Sequence, residues 1–517
     1  VTTNRRIRPI RLAALLLAAA PVAGSSVHAQ QSAPELDPAA GAGPMSSIID
    51  DRAELAERLD RILADPALTR AHVGLTVQVA ETGEVLYERA GEKRFTPASN
   101  TKIVTGAVGL DVLGPDYVWT TRLVADGKVR DGTLDGDLWI VGGGDPSLSR
   151  DRLETWMAQL RAAGIRRITG DVVADDRMFT EPQWGEGWMW DDLFGGWSAG
   201  VTGLQLAPNT VRAALVPGNQ LGDAAELVYR DRGPTLEIAN RVRTGAPGSG
   251  ARLAFVPPPE GGPVELRGWV PLGPDSTRLY LATPHATLYL LDWVKMLFAE
   301  DRISLDGRFR RATDDENPVS EGWVYESRSE PLSEILGEML KPSDNQMAET
   351  LLRTIAVAEG EEGSPAAGLS IVSARLADWG IEPGAIELHD GSGLSRYNEV
   401  TPNALARLLR AMWRHPDYAT FVDALPTAGV DGTLRRRLLA TPGADNVRAK
   451  TGSLSAVRAL SGYLVDGAGE TLVFSLLLNG YDSPGAVAVA LEDLLIEQVA
   501  LYRRPVEPGW PSLRKVP

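Results

Sequence analysis

Two strand-like runs near the start of the chain and three near its end constrain the fold more than any other feature. Residues 73–79 (VGLTVQV) alternate apolar and polar, residues 81–84 (ETGE) turn, and residues 85–88 return. That pattern predicts a β-hairpin. Residues 448–453, 459–465 and 471–478 read as three further strands, with the turn Asp466-Gly-Ala-Gly469 between the last two. Residues 47–65 and 486–502 carry apolar positions at helical spacing. Two early and three late strands fit one antiparallel sheet, with the terminal helices across a face. The chain then closes on itself, and everything between hangs from the closed sheet.

What hangs there is long. The chain has 517 residues, far above one typical domain. Residues 120–285 differ in texture, with short alternating runs, Gly-Asp turns and a Pro-rich patch at 256–263. A structureless loop of that length is implausible inside one domain. The expectation is one or two inserted β-rich domains at 120–285, with a helix near 152–163. Helices at 287–301 and 331–356 then return the chain to a discontinuous main domain, 47–119 plus 286–517.

The first 29 residues read as an export signal. Arg5, Arg6, Arg8 and Arg11 precede the apolar run 12–20, and Val27-His28-Ala29 supplies a small-x-small cleavage site. Residues 30–46 are rich in Ala, Pro and Ser and read as a linker. No other stretch has 18 consecutive apolar residues, so no membrane span is expected after cleavage. A periplasmic location in a bacterial envelope follows. The net charge of −16 argues against non-specific nucleic-acid binding, which draws on Lys and Arg meeting phosphate. With no cysteine in the chain, disulfides, thiol nucleophiles and iron–sulfur chemistry are excluded.

Lysine is scarce, with seven in all, and two of them fall in short chemical patterns. Ser99-Asn-Thr-Lys102 precedes an apolar, helix-like run; Lys450-Thr-Gly-Ser453 lies on a strand; Ser343-Asp-Asn345 sits between them on a helical segment. A Ser hydroxyl needs a base to become a nucleophile. On a helix, residues i and i+3 share a face, so Lys102 meets Ser99. Lysine acts as a base only when neutral, and burial or a second cation, here Lys450, lowers its pKa. Ser343 is placed to relay a proton, and Asn345 to hold both a peptide amide and Lys102. An exposed strand edge at 450–453 offers a substrate peptide a place to add as a strand. Gly452 permits close approach there, and the Thr451 and Ser453 hydroxyls suit a carboxylate. Backbone N–H groups of Ser99 and Ser453 make an oxyanion hole.

Each pattern alone is weak. S-x-x-K occurs by accident, S-D-N is a common cap or turn, and K-T-G is a frequent surface turn. Together, in this order, they form the signature set of penicillin-binding proteins and serine β-lactamases. Rival chemistries have less support. No H-E-x-x-H zinc pattern is present, and His389-Asp390 lacks a G-x-S-x-G elbow for a serine triad. The tryptophans at 184, 188, 190 and 197 fit either a sugar platform or an inserted-domain core.

Over nearly the whole mature length the chain resembles class C low-molecular-mass penicillin-binding proteins, the D-alanyl-D-alanine carboxypeptidase/endopeptidase family. Beyond the three motifs, the resemblance rests on residues 97–102, 143–148, 187–192, 341–345 and 390–395. It implies a mixed α/β fold: a serine transpeptidase/β-lactamase-like domain with a five-stranded antiparallel sheet flanked by helices, plus inserted β-rich domains between Ser99 and Ser343. It implies an acyl-enzyme at Ser99, peptidoglycan stem peptides as substrate and β-lactams as acylating inhibitors. It also implies a side pocket, formed by Asp192, Trp197 and Arg396, for the free end of a diamino acid. No metal or organic cofactor is needed. A serine β-lactamase and a non-enzymatic peptidoglycan-binding protein are the alternatives; the first lacks an E-x-x-L-N string, and the intact motif residues speak against the second. Oligomeric state is not legible.

Overall fold

The computed structural model describes residues 49, 51–230, 236–256, 262–319 and 322–503. The expected signal (1–29) and linker (30–46) lie outside them. Among the described residues, no helix is long and apolar enough to cross a membrane.

The two chain ends do pair. Strands β1 (His72–Val79), β2 (Val85–Arg89), β3 (Arg448–Leu454), β4 (Val457–Val465) and β5 (Thr471–Asn479) form one sheet in the order β3-β4-β5-β1-β2. All its pairings are antiparallel. The central pairing runs from His72 opposite Asn479 to Val79 opposite Leu472. Both faces of the sheet are covered. Leu472, Phe474 and Leu476 enter one core, whereas Val473 and Leu477 enter the other. This is the two-residue period of a strand buried on both sides, which is why residues 471–478 read as a continuous apolar run.

Helices α1 (Arg52–Leu63) and α6 (Gly485–Leu501) cover one face, through Leu55, Leu59, Leu63, Leu495, Ile496 and Val499. The other face carries α2 (Thr101–Leu113), α3 (Leu332–Leu340), α4 (Asn345–Ala358) and α5 (Pro402–Arg414). Residues 101–110 of α2 are all buried, as expected of a helix surrounded by neighbours.

The intervening chain builds a separate core. Its largest sheet has seven strands; Thr120–Arg130 and Thr133–Val141 form the central hairpin. Among the described residues, smaller sheets of three and four strands are built from strands within 210–229, 238–256 and 264–282. The helix Arg150–Ala162 packs into this core through Leu153, Trp156, Met157 and Leu160. The sequence returned the chain to the first core at residue 286. The helix Ala286–Glu300 instead buries Tyr289, Leu290, Val294 and Phe298 in the second core. Strand Val324–Arg328 then pairs with Thr120–Arg130. The periodicity marked the helix correctly but carries no information about which core receives its apolar face. The two crossings between the cores are stitched together: Trp119 N–H donates to Ser329 Oγ and Ser329 N–H to the Trp119 carbonyl, both at 2.9 Å.

Candidate active site

Ser99 lies in a single 3₁₀ turn, Ala98–Asn100, directly before α2. The turn is pinned from below, where Asn100 Nδ2 donates to Ser461 Oγ on β4 at 2.8 Å. Three residues on, Lys102 returns to the same face. Its Nζ donates to Ser99 Oγ (3.2 Å), Asn345 Oδ1 (2.5 Å) and the Ser392 carbonyl (2.6 Å). Lys102 is fully buried. Burial lowers its pKa to about 8, against the pull of Asp390, Asp344 and Glu349, which favour the ammonium.

Lys450 is buried as well and donates to the Thr451 carbonyl at 2.9 Å. Burial lowers Lys102 and pushes Lys450 well below its ordinary value, and the repulsion between the two amines acts in the same direction on the pair. Three carboxylates oppose this at Lys102 by favouring its charged form.

The segment 331–356 was expected as one helix carrying Ser343. It is two helices, α3 and α4, with the S-D-N string at the break. Ser343 adopts a left-handed φ of 69°, and Asp344 caps α4 by accepting from Met347 N–H at 2.8 Å. The break turns Asn345 inward. Its Oδ1 accepts from Lys102, and its Nδ2 donates to the Trp197 carbonyl at 2.7 Å. Gly196, Trp197, Pro208, Ser343 and Asn345 line a small hollow at this point.

Strand β3 is the edge of the sheet. Its first residues are covered, since Ala449 N–H donates to the Pro426 carbonyl at 3.0 Å. Gly452 lies against the nucleophile turn, and a Cβ there would stand 2.5 Å from the Pro97 carbonyl oxygen. The Thr451 hydroxyl donates to Thr433 Oγ1 at 2.8 Å, and Ser453 is exposed. Arg396 Nη1 reaches the Ser455 carbonyl just beyond this strand at 3.4 Å. Asp192 is part-buried on a turn closed by Gly195 N–H on its carbonyl (2.9 Å). Burial and Asp191 raise the Asp192 pKa, whereas Trp197 and Arg396 lower it. The structure thus joins Ser99, Lys102 and Asn345 by direct hydrogen bonds and couples Lys450 to them by charge. Among the described residues, no cluster of His, Asp or Glu is placed to hold a metal ion.

The sequence pattern of the D-Ala-D-Ala carboxypeptidase 3 (S13) family matches residues 55–494. The chain belongs to this family. The S13 chain is 33% identical over 469 residues to a D-alanyl-D-alanine carboxypeptidase of Actinomadura sp. strain R39, covering 87% of this chain and 85% of that one. It is 28% identical to the D-alanyl-D-alanine carboxypeptidase DacB of Haemophilus influenzae, over 80% of this chain and 86% of the other. The crystal structure of penicillin binding protein 4 (dacB) from Haemophilus influenzae superposes with a TM-score of 0.77 at 26% identity, covering 88% of this chain and 100% of that one. This chain is therefore a low-molecular-mass penicillin-binding protein and a serine-type D-Ala-D-Ala carboxypeptidase.

Two parts of this S13 carboxypeptidase's site escaped the motif reading. The first is the hold of the loop 390–398 on the base: the sequence singles out residues 390–395 and Arg396, but not the Ser392 carbonyl that accepts from Lys102. Asp390, fully buried, folds the loop by accepting from Gly393 N–H (2.8 Å), Ser395 N–H (2.8 Å), Asn398 Nδ2 (2.6 Å), Ser392 Oγ (2.9 Å) and Trp188 Nε1 (2.9 Å). Neither residue of the His389-Asp390 pair serves a serine triad, since His389 Nδ1 instead faces Glu186 at 3.3 Å. The second part is Glu349. Asn345, Glu349 and Arg353 recur at i, i+4 and i+8 on α4, a polar row beside that of Gln346, Thr350 and Thr354. Among the described residues, none of the four tryptophans belongs to the buried core of the inserted region. Trp188 ties the second unit to Asp390, the Trp197 carbonyl holds Asn345, and Trp190 is 58% exposed.

Proposed function

We propose that this carboxypeptidase cleaves D-Ala-D-Ala stem peptides and 4,3 cross-links of peptidoglycan through an ester at Ser99. One observation carries the reading: a buried lysine amine lies 3.2 Å from a serine hydroxyl and is held in place by Asn345. In its neutral form Lys102 takes the Ser99 proton as Oγ attacks the penultimate D-Ala carbonyl. The backbone N–H groups of Ser99 and Ser453 bind the resulting oxyanion. The C–N bond then breaks, and the proton passes from Lys102 through the Ser343 hydroxyl to the departing amine. Water hydrolyses the ester and restores Ser99. Lys450, Thr451 and Ser453 receive the terminal carboxylate, and the outer edge of β3 with Gly452 receives the peptide backbone.

Asp192, Trp197 and Arg396 form the wall of a side pocket. A carboxylate there suits an ammonium and a guanidinium suits a carboxylate, the two charges at the free end of a diamino acid. We assign residues 47–119 and 329–517 to the catalytic unit and 120–328 to the inserted region. Residues 1–29 direct export to the periplasm, and β-lactams acylate Ser99 in place of substrate.

A fluorescent penicillin tests the reading. The wild type should label covalently, and Ser99→Ala should lose labelling entirely; an unlabelled wild type overturns the assignment. Mass spectrometry of muropeptides released from purified sacculi then reads the balance between D-Ala release and cross-link cleavage.

A further inference from the structure

The proposed reaction uses Ser99, Lys102, Ser343, Asn345 and Lys450, yet a fully buried acid near them, Glu349, has no part in it. Glu349 is fully buried on α4, one turn after Asn345. A buried carboxylate is costly unless its oxygens are satisfied. Here one oxygen is doubly used. Glu349 Oε1 accepts from the N–H groups of both Gly391 and Ser392, each at 2.9 Å. Its other oxygen faces Arg353 at 3.4 Å. The peptide plane thus gripped is held from a second side, where Thr105 Oγ1 on α2 donates to the Gly391 carbonyl at 2.7 Å. The next carbonyl along, that of Ser392, accepts from Lys102 Nζ at 2.6 Å.

We propose that Glu349 is a positioning residue for the base: it clamps the Gly391–Ser392 segment so that the Ser392 carbonyl holds Lys102 Nζ beside Ser99. The inference rests on Lys102 being the base. Glu349 does not touch the reacting atoms. It acts through one backbone carbonyl and through its charge. A carbonyl that accepts from the amine favours the ammonium, and so does a carboxylate nearby. Together they keep Lys102 a strong enough base to take a hydroxyl proton while burial keeps it partly neutral.

The groups facing Lys102 are Asp390 from the loop, Asp344 and Glu349 from α4, and Lys450 from β3. Glu349 itself faces Asp390 and Arg353; burial and Asp390 push its carboxyl up to about 7. Arg353 and the two N–H donors favour the ionised carboxylate, whose charge acts on Lys102. The sign follows. In the wild type the acylation rate rises with pH through about 8, as Lys102 loses its proton. Removing the Glu349 charge moves that midpoint to lower pH.

The test is penicillin acylation of the full chain by stopped flow from pH 5.5 to 10. Glu349→Gln keeps a carbonyl oxygen for the two N–H groups and deletes the charge. The expected result is a midpoint lower by about half a pH unit or more, and a plateau rate reduced roughly tenfold, the scale of a sub-ångström misplacement of a reacting group. Glu349→Asp keeps the charge but pulls the oxygen back by one methylene. It should lose rate while its midpoint stays closer to the wild-type value. A purely structural Glu349 would lower the melting temperature and leave the midpoint where it was. Wild-type midpoint and rate in Glu349→Gln overturn the proposal; if that variant does not fold, a wild-type rate in Glu349→Asp does so. Failure of the wild type itself to acylate strikes the catalytic assignment instead, so the two failures are told apart.

Discussion

The well that holds the nucleophile and the wall that faces it are built by different means. Ser99, Lys102 and Asn345 project from a helix start and a helix break, and Lys102 meets three acceptors within 3.2 Å in full burial. Asp192 and Trp197 sit on turns of the inserted region and are only part-buried. Their segment holds itself by short-range contacts, such as Asp192 N–H on the Met189 carbonyl (2.9 Å) and Ser198 Oγ on the Asp192 carbonyl. The well is thus over-determined and the wall is locally supported. Proton transfer tolerates little displacement of its reacting groups. The side chains of a wall made of turns can be changed with less disturbance, provided that the Trp197 carbonyl keeps its bond to Asn345 Nδ2 (2.7 Å).

The contrast is most directly broken at Gly393, which joins the loop 390–398 to the nucleophile turn. Its φ is 85°, and a Cβ there would lie 1.9 Å from the Ala98 carbonyl oxygen. Alanine has no relief, because both the left-handed conformation and the contact oppose it. Gly393→Ala should cut the penicillin acylation rate by about 100-fold or more, as expected when a near-attack arrangement is lost, and lower the melting temperature. Near wild-type kinetics in this variant would mean that the well is far more compliant than its bonds suggest.

How much of this was legible follows the same division. The hairpin at 73–88 and the three late strands were readable because a sheet buried on both faces writes its pattern into the chain. Lys102 was readable from the three-residue spacing to Ser99. The break before α4 was hidden, although Pro342 and the capping Asp344 stood in the sequence, because apolar residues on both sides continue the helical pattern. The loop's part was hidden for a deeper reason. Lys102 is held by a backbone carbonyl, and a carbonyl belongs to every residue type. Likewise, no spacing rule links Trp188 to Asp390, which are 202 positions apart.

A second experiment sharpens the comparison from the side of the wall. Asp192→Asn removes the charge proposed to meet an ammonium. On a stem peptide ending its side chain in a free diamino acid, kcat/KM should fall by about ten- to 100-fold, the scale of losing a charge-assisted contact. The loss on penicillin, which presents no such group, should be several-fold smaller. Arg396→Ala should follow the same order but with a larger effect on penicillin, because Arg396 also reaches the Ser455 carbonyl beside β3. Equal losses on both substrates would erase the distinction between well and wall and remove the pocket assignment.

The smallest expected effect lies where the two regions meet. Trp188 Nε1 is the donor that the inserted region contributes to Asp390, at 2.9 Å; the other donors come from the loop itself. Trp188→Phe deletes that donor and keeps an aromatic ring in place. Because Asp390 Oδ2 retains Ser395 N–H and Ser392 Oγ, the carboxylate is not left unsatisfied. The cost should therefore be that of a single hydrogen bond, about 1 kcal/mol, read as a small shift in a denaturant midpoint. Acylation by penicillin should change by less than about threefold on that energy scale, while the peptide reaction, which needs Asp192 and Trp197 correctly presented, should slow more. If Trp188→Phe instead matched Gly393→Ala in its loss of acylation, Trp188 would join the Trp197 carbonyl, which holds Asn345, as a part of the inserted region that keeps the base in place.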